Sequence, residues 1–322
     1  MLNNYKLCIV VPCYNESEIL EESNQQLLQV LNNLIKDNLI SEDSKILYVD
    51  DGSNDTTYSM IKHYQYNNSN KILGLKLSRN QGHQNAVYAG LMYAKEHFDI
   101  TVSVDADLQD DLSIIREFVL KHHDGYDIVY GVRKRRTSDG FFKRNTALAF
   151  YKLMAIMGVE LIYNHADYRL MSNRALCSLA EFQEVNLFLR GIIPLLGYNS
   201  TSVYYNRLDR KAGDSKYTIS KMFNLAFDGI TSFSIRPIRF IGSIGIMVTL
   251  TGILYMIYAI IQKLTNHTTT GWTSVIISIW IIGGFQITAI GLIGEYIGRI
   301  YKEVKHRPKY FIEQILDEHH NN

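Results

Sequence analysis

Cysteine and proline are scarce in this 322-residue chain, at three and four. Cys8, Cys13 and Cys177 have neither metal-ligand spacing nor an even count, which argues against a disulfide framework and points to a reducing setting. No proline falls between Pro12 and Pro194, and no internal repeat or low-complexity linker breaks that stretch, so it reads as one continuous domain. An excess of one charge is also missing: 33 Lys+Arg against 32 Asp+Glu leave a net charge of +1, which speaks against a globally basic nucleic-acid binder. Neither G-x-x-x-x-G-K-[ST] nor G-x-G-x-x-G occurs, so an ATPase or a dinucleotide dehydrogenase lacks its phosphate loop. The opening MLNNYKLCIVVPCYNES has no basic n-region and no long apolar h-region, and it is expected to be a first buried strand.

What is present is an alternation. Short apolar runs at 7–11, 46–50, 72–78, 100–107 and 127–131 are separated by amphipathic stretches such as Glu18–Leu39 and Asn85–His97. That pattern predicts an α/β domain with a mostly parallel sheet and crossover helices. Ligands of such sheets bind at the carboxyl ends of the strands. Acidic and small polar residues gather there: Asn15 and Glu16 after the first run, Asp50 and Asp51 after the second, Asp105 and Asp107 after the fourth.

The segment VSVDADLQDD (102–111) is the sharpest local signal. A strand ending in Asp-x-Asp is expected to put both carboxylates on one side of the chain. Such oxygen ligands suit Mg²⁺ or Mn²⁺, with Asp107 as a ligand and Asp105 or Gln109 in support, shared with a substrate diphosphate. The same loops also hold ordinary turn and cap formers, Ser17, Ser53, Asn54 and Asp55. Asp167 lies in HADYRLMSNRA beside Arg169, where an ion pair or a helix cap competes with a role in the site. His83 and His165 lack metal-ligand spacing. A basic cluster, GVRKRR (131–136) with Lys143 and Arg144, leads into an amphipathic stretch, a combination suited to an anionic membrane surface or a lipid phosphate. A second basic patch, 207–217, precedes residues Ile219, Met222, Phe223, Ala226, Ile230 and Phe233 at helical spacing, which predicts a juxtamembrane helix over 218–237.

Beyond that the composition changes. About 22 uncharged residues run from Phe240 to Ile261, and a similar stretch runs from Trp272 to Gly294, each long enough to cross a bilayer core. Arg236 and Arg239 precede the first; Arg299, Lys302, Lys305, Arg307 and Lys309 follow the second, and only Lys263 lies between. The excess of positive charge predicts a multi-pass anchor, a two-helix hairpin with both termini in the cytoplasm. The expected organisation is thus a catalytic domain over 1–217, a juxtamembrane helix over 218–237 and the hairpin with its basic tail over 238–322.

Taken in order, VPCYNE, VDDGSNDTT, LSRNQGHQNAVYAGL, DADLQD, GVRKRR, ADYRLMSNRA, FLRGIIPLLGY and RKAGDSKY resemble the family 2 glycosyltransferases of the polyprenyl-phosphate type, and the two-span tail is similar to that of the bacterial members. The resemblance implies a GT-A nucleotide-sugar domain with interface helices. It implies inverting transfer of a hexose or N-acetylhexosamine, from a donor such as UDP-glucose or UDP-GlcNAc, to undecaprenyl phosphate for cell-envelope glycan modification. By the same resemblance Pro12, Tyr14, Asn15, Glu16, Asp51, Asp105 and Ala106 surround the nucleotide sugar, and Asp105, Asp107 and Gln109 form the Mg²⁺ or Mn²⁺ side. Arg133 meets the acceptor phosphate, with Lys143, Arg144 and Lys216 as further contacts. Asp107 and Asp167 are the catalytic candidates, and a homo-oligomer is implied. Gln81 departs from the pattern, which often has an aromatic there. A processive synthase would carry a Gln-x-x-Arg-Trp motif, and the two tryptophans here, Trp272 and Trp280, both lie in the membrane tail. A catalytically silent nucleotide-sugar-binding scaffold is the alternative from a different class.

Overall fold

The computed structural model describes residues 4–107, 109–134, 165–184, 188–206, 236–264 and 271–317. It divides into two compact units, one of Met1–Ala147, Leu161–Tyr217 and Arg307–Asn322, the other of Leu148–Glu160 and Thr218–His306.

In the first unit the chain runs β1 (Leu7–Cys13), α1 (Leu20–Lys36), β2 (Lys45–Asp50), α2 (Thr57–Asn67), β3 (Ile72–Leu77), α3 (His83–His97), β4 (Ile100–Ser103) and α4 (Ile115–His123). It continues through β5 (Ile128–Arg133), β6 (His165–Ser172), α5 (Asn173–Ala180), α6 (Leu189–Leu195) and β7 (Ser200–Tyr205). The described strands form one sheet in the order β7-β5-β6-β4-β1-β2-β3-β8, where β8 (Ile312–Leu316) comes from the far end of the chain. The block β3-β2-β1-β4 is parallel, β5 pairs parallel with β7, and β6 and β8 run antiparallel to their neighbours. The sheet is therefore mixed, with its parallel part at the centre.

Period-two alternation fills both faces. Ile9, Val11, Ile46 and Tyr48 pack with Leu27 and Leu31 of α1, Ile61 of α2 and Phe118 of α4. Cys8, Val10, Leu47 and Val49 pack with Ala86, Ala89 and Ala94 of α3. The buried Tyr48 hydroxyl meets the need for a partner by donating to Asn24 Oδ1 at 3.0 Å. The chain steps from β1 outward to β2 and β3, then crosses back to β4 on the other side of β1. Between the carboxyl ends of β1 and β4 the strand order reverses, the position at which sheets of this kind bind ligands.

One expectation needs correction. Asp105 and Asp107 do not lie on a strand: β4 ends at Ser103, after Val104 N–H has donated to Val10 O, and Ala106 and Asp107 form a turn. β4 is shared between β1 and the antiparallel β6, where Ser103 faces Arg169. Pairing ends with its neighbours, so the carboxylates are presented by a turn rather than by alternation along a strand.

The second unit contributes α7 (Arg236–Leu264) and α8 (Trp272–Val304). Within α8, Ile281–Val304 is 24 residues of apolar helix, long enough to cross a membrane, and large apolar side chains such as Ile281, Ile287 and Ile290 are exposed along it. So much exposed apolar surface suits a lipid surrounding. The expected juxtamembrane helix over 218–237 falls almost wholly outside the described residues. Arg307–Asn322 belongs to the first unit rather than to the second, and β8 pairs with β3 there.

Candidate active site

Four loops meet at the carboxyl ends of the central strands. The first two are stitched together. Asn15, at φ 53°, donates its N–H to Ser53 Oγ at 3.0 Å and accepts from Asn54 N–H at 2.9 Å. Glu16 N–H donates to Thr57 Oγ1 at 2.9 Å, and Ser17 N–H to Asp55 Oδ2 at 3.2 Å. Ser53, Asn54, Asp55 and Thr57 thus hold the segment that carries Tyr14 and Glu16 in one shape. Pro12 sits buried in β1, paired with Val49.

Asp51 fixes the third loop. Its two oxygens accept from Gln81 N–H at 2.7 Å and Gly82 N–H at 2.9 Å. Burial raises its pKa, and these two bonds oppose the rise. The loop comes so close that a Cβ on Gly52 would lie 2.6 Å from Arg79 C and Asn80 N, and Gly52 also sits at φ +67°. Only glycine fits. Gln81 contributes to this clasp through its backbone, so the aromatic-to-glutamine departure leaves the clasp intact.

The fourth loop carries the acids. Asp107 accepts from Gln109 N–H at 3.1 Å, and Gln109 is buried. Asp105 keeps a third of its side chain exposed. Desolvation is the main cause that pushes its carboxyl up to about 6, opposed by His83 and reinforced by Asp110, Asp167 and Asp107. Crowded carboxylates of this kind favour a divalent cation, and Asp105, Asp107 and Gln109 supply hard oxygen donors. Among the described residues no group of three or more His, Cys, Asp or Glu is arranged to hold a metal alone. By its oxygen chemistry the set of Asp105, Asp107 and Gln109 fits an ion of the Mg²⁺ type, which also takes substrate phosphate and water as ligands.

Asp167, on β6 and 6 % exposed, is the hub of the site. Arg169 Nη2 donates to Oδ1 at 2.5 Å, Arg190 Nε to Oδ1 at 3.2 Å and Arg190 Nη2 to Oδ2 at 3.0 Å. Gln84 Nε2 donates to Oδ2 at 3.2 Å. His83 Nε2 stands 3.6 Å from both Asp167 Oδ2 and Asp105 Oδ1, bridging the hub to the acidic turn. Burial would raise the Asp167 pKa, but Arg190, His83 and Arg169 outweigh it and hold the carboxyl well below the usual carboxylate range. Asp105 and Asp167 likewise raise His83 against its desolvation. One carboxylate against two guanidiniums leaves the hub net positive, next to a net negative turn.

Arg133, at the end of β5, is already engaged. Its Nη2 donates to Asp110 Oδ1 at 3.1 Å and its Nε to Tyr205 Oη at 3.2 Å, while Tyr205 also donates to Asp110 Oδ1. Among the described residues Asp110 Oδ2 is buried with no partner. The site thus gathers Asp51, Asp105, Asp107 and Gln109 on neighbouring loops with Arg133 on β5 and Asp167 on β6, and Ala106 is buried in the acidic turn. Lys143, Arg144 and Lys216 lie outside the described residues. His83, Gln84, Asp110 and Arg190 were not assigned from the residues; the available signal was their place in RNQGHQ, DLQDD and FLRG.

The topology and an acidic turn at the strand reversal define a nucleotide-sugar-type α/β domain, and the chain belongs to glycosyl transferase family 2, whose family description matches residues 8–179. Residues 236–300 match a second description, the GtrB C-terminal hairpin. Among its relatives is an uncharacterized glycosyltransferase, YkoT, of Bacillus subtilis (strain 168), 54% identical over 307 residues, covering 95% of this chain and 91% of the relative. A bactoprenol glucosyl transferase of Shigella phage SfV is 37% identical over 310 residues, 96% of this chain and 98% of its own. A prophage bactoprenol glucosyl transferase homolog of Escherichia coli (strain K12) is 36% identical over 312 residues, 96% and 99% of the two chains.

Proposed function

We propose that this protein transfers a hexose or N-acetylhexosamine from a UDP-sugar to a polyprenyl phosphate at the cytoplasmic face of the cell membrane, with undecaprenyl phosphate as the lipid. The observation that carries the reading is the pairing of an acidic turn, Asp105 and Asp107, with a cationic hub, Asp167 between Arg169 and Arg190, joined through His83. The likeness to bactoprenol glucosyl transferases along almost the whole chain supports the lipid acceptor. The exposed apolar helix α8 and the hairpin match support a two-span anchor over about 240–261 and 272–294, with both termini cytoplasmic.

In this reading Tyr14, Asn15 and Glu16, backed by Pro12 and Ala106, hold the nucleotide. Asp51, whose oxygens are taken by the Gln81 and Gly82 amides, contributes through the loop it pins. Asp105, Asp107 and Gln109 would hold Mg²⁺ or Mn²⁺, which offsets charge on the leaving diphosphate. An oxygen of the lipid phosphate attacks the anomeric carbon opposite the leaving group. The C–O bond to UDP breaks, UDP leaves with the electron pair, and the configuration inverts. A phosphate monoester has its second pKa near about 6 and is largely anionic at neutral pH, so it needs little help from a base. Asp167 is ill suited to take a proton, because Arg190, His83 and Arg169 stabilise its ionised form against its burial; its task is orientation. Arg133 draws the acceptor phosphate, assisted by Lys143, Arg144 and Lys216.

The test is transfer by detergent-purified full chain with undecaprenyl phosphate, Mg²⁺ or Mn²⁺, and labelled UDP-glucose, UDP-GlcNAc or GDP-mannose. Metal-dependent label in the organic phase from a UDP-sugar is expected. Asp107→Asn should leave less than about a tenth of that turnover, through loss of an anionic ligand. Donor binding without lipid label would favour a silent scaffold instead.

A further inference from the structure

We infer that Gln84 is a positioning residue that sets the register between Asp167 and Arg190, an inference that rests on the transferase reading above. Gln84 stands in the first turn of α3 and touches two other elements at once. Its Nε2 donates to Asp167 Oδ2 on β6 at 3.2 Å, and its Oε1 accepts from the N–H of Leu189, the first residue of α6, at 3.1 Å.

The chemistry of these two contacts leaves little choice of side chain. The partner on β6 is a carboxylate, held ionised, and accepts only. The partner on α6 is a backbone N–H and donates only. A carboxamide of this length has a donor at one corner and an acceptor at the other, and one orientation satisfies both. Glutamate would set a second anion against Asp167. Lysine and arginine would have nothing to offer Leu189. Methionine would have nothing for either.

The two contacts converge on one pair. Arg190 follows Leu189 directly, and its guanidinium grips Asp167 at both oxygens. Gln84 thus holds the carboxylate from one side and, through the adjacent peptide, the helix end from which the guanidinium extends. Arg169 cannot serve this purpose, since it lies on β6 together with Asp167 and moves with it. Among the described residues the other polar tie between β6 and α6 at this point, beside the packing of buried Leu189 and Ile192, is the Arg190 pair itself, whose side chain is 38 % exposed. Without Gln84 the α6 end is free to shift by a fraction of an ångström relative to β6. Misplacement on that scale lowers turnover more than it lowers ground-state affinity.

The test is a kinetic cycle of Gln84→Met and Arg190→Lys on detergent-purified full chain, with Gln84→Glu as a third variant and donor and lipid phosphate varied separately. Gln84→Met and Gln84→Glu are expected to lower kcat by about tenfold or more, while the donor KM stays within about threefold of the wild type. In the Arg190→Lys background, where the two-point grip is already lost, Gln84→Met should cost less than about twofold more. Costs that multiply, or a Gln84→Met kcat within about twofold of the wild type, would overturn the inference, since a general loss of fold does not depend on Arg190. Should the wild type itself transfer no sugar from any donor, the functional reading falls rather than this one. The same cycle is then read in the thermal midpoint, where non-additive shifts uphold the positioning role and additive shifts overturn it.

Discussion

Arg169 and Asp167 stand two residues apart on β6 and form an ion pair in which the arginine side chain is 1 % exposed and the aspartate 6 %. A charge so deeply placed has no solvent to fall back on. Asp167→Asn leaves Arg169 without its counter-charge, and breaking a buried pair from one side costs about 3–5 kcal/mol. A clear drop in the thermal midpoint of the purified protein is expected, along with loss of transfer. An unchanged midpoint would mean that Arg169 finds another anion.

Arg133 and Asp110 separate two roles that a single substitution would mix. Arg133→Gln alone should lower the midpoint, because Asp110 then keeps a buried charge beside Tyr205. Arg133→Gln with Asp110→Asn removes both charges and should recover most of that loss. If Arg133 meets the acceptor phosphate, the KM for lipid phosphate stays raised in the double variant while the donor KM does not. Recovery of both stability and acceptor KM would reduce Arg133 to a structural ion-pair partner.

Asp51→Asn replaces one of two acceptor oxygens with a donor facing a donor. One of the bonds to Gln81 and Gly82 is lost, at about 1–3 kcal/mol for the stranded group. The expected result is a raised donor KM with a modest fall in midpoint. Equal rises in donor and acceptor KM would contradict a role confined to the nucleotide side.

His122 gives a pH dependence away from the site. Burial is the main cause that lowers its pKa, with His123 adding to it and the Tyr126 carbonyl, Asp127 and Asp99 opposing. As pH falls through about 6.5 the unfolded chain takes up a proton at this histidine while the folded chain still resists it. The contribution to stability is therefore present above that pH and is lost below it. Unfolding midpoints recorded from pH 7.5 down to 5 should decline less steeply in His122→Gln than in the wild type, and parallel curves would rule His122 out.

The sequence made β1 to β5 readable because each is a Val/Ile/Leu-rich run closed by polar residues, the pattern of a strand buried on both faces. β6 escaped because HADYRLMS carries Asp167 and Arg169 in its middle, and their mutual neutralisation depends on the fold rather than on local pattern. β7 is a polar edge strand, and β8 is five residues with three exposed. Asp51, Asp105 and Asp107 were legible as residues that follow strand runs. Their partners were not: Gln84 and Asp167 are 83 residues apart, Arg133 and Asp110 are 23, and only tertiary structure brings them together.

β8 has a consequence for the order in which the protein can be made. It pairs with β3, Leu316 packs where Gly74 leaves room, and Tyr58 and Lys76 bind Gln314 and Glu313. These residues leave the ribosome after both long helices have been synthesised. Until then the nascent domain exposes the β3 edge, a template for wrong pairing. The strand that seals the β3 edge is therefore translated only after the apolar helices, so a chain stalled between residues 305 and 311 carries both long helices beside an unfinished sheet.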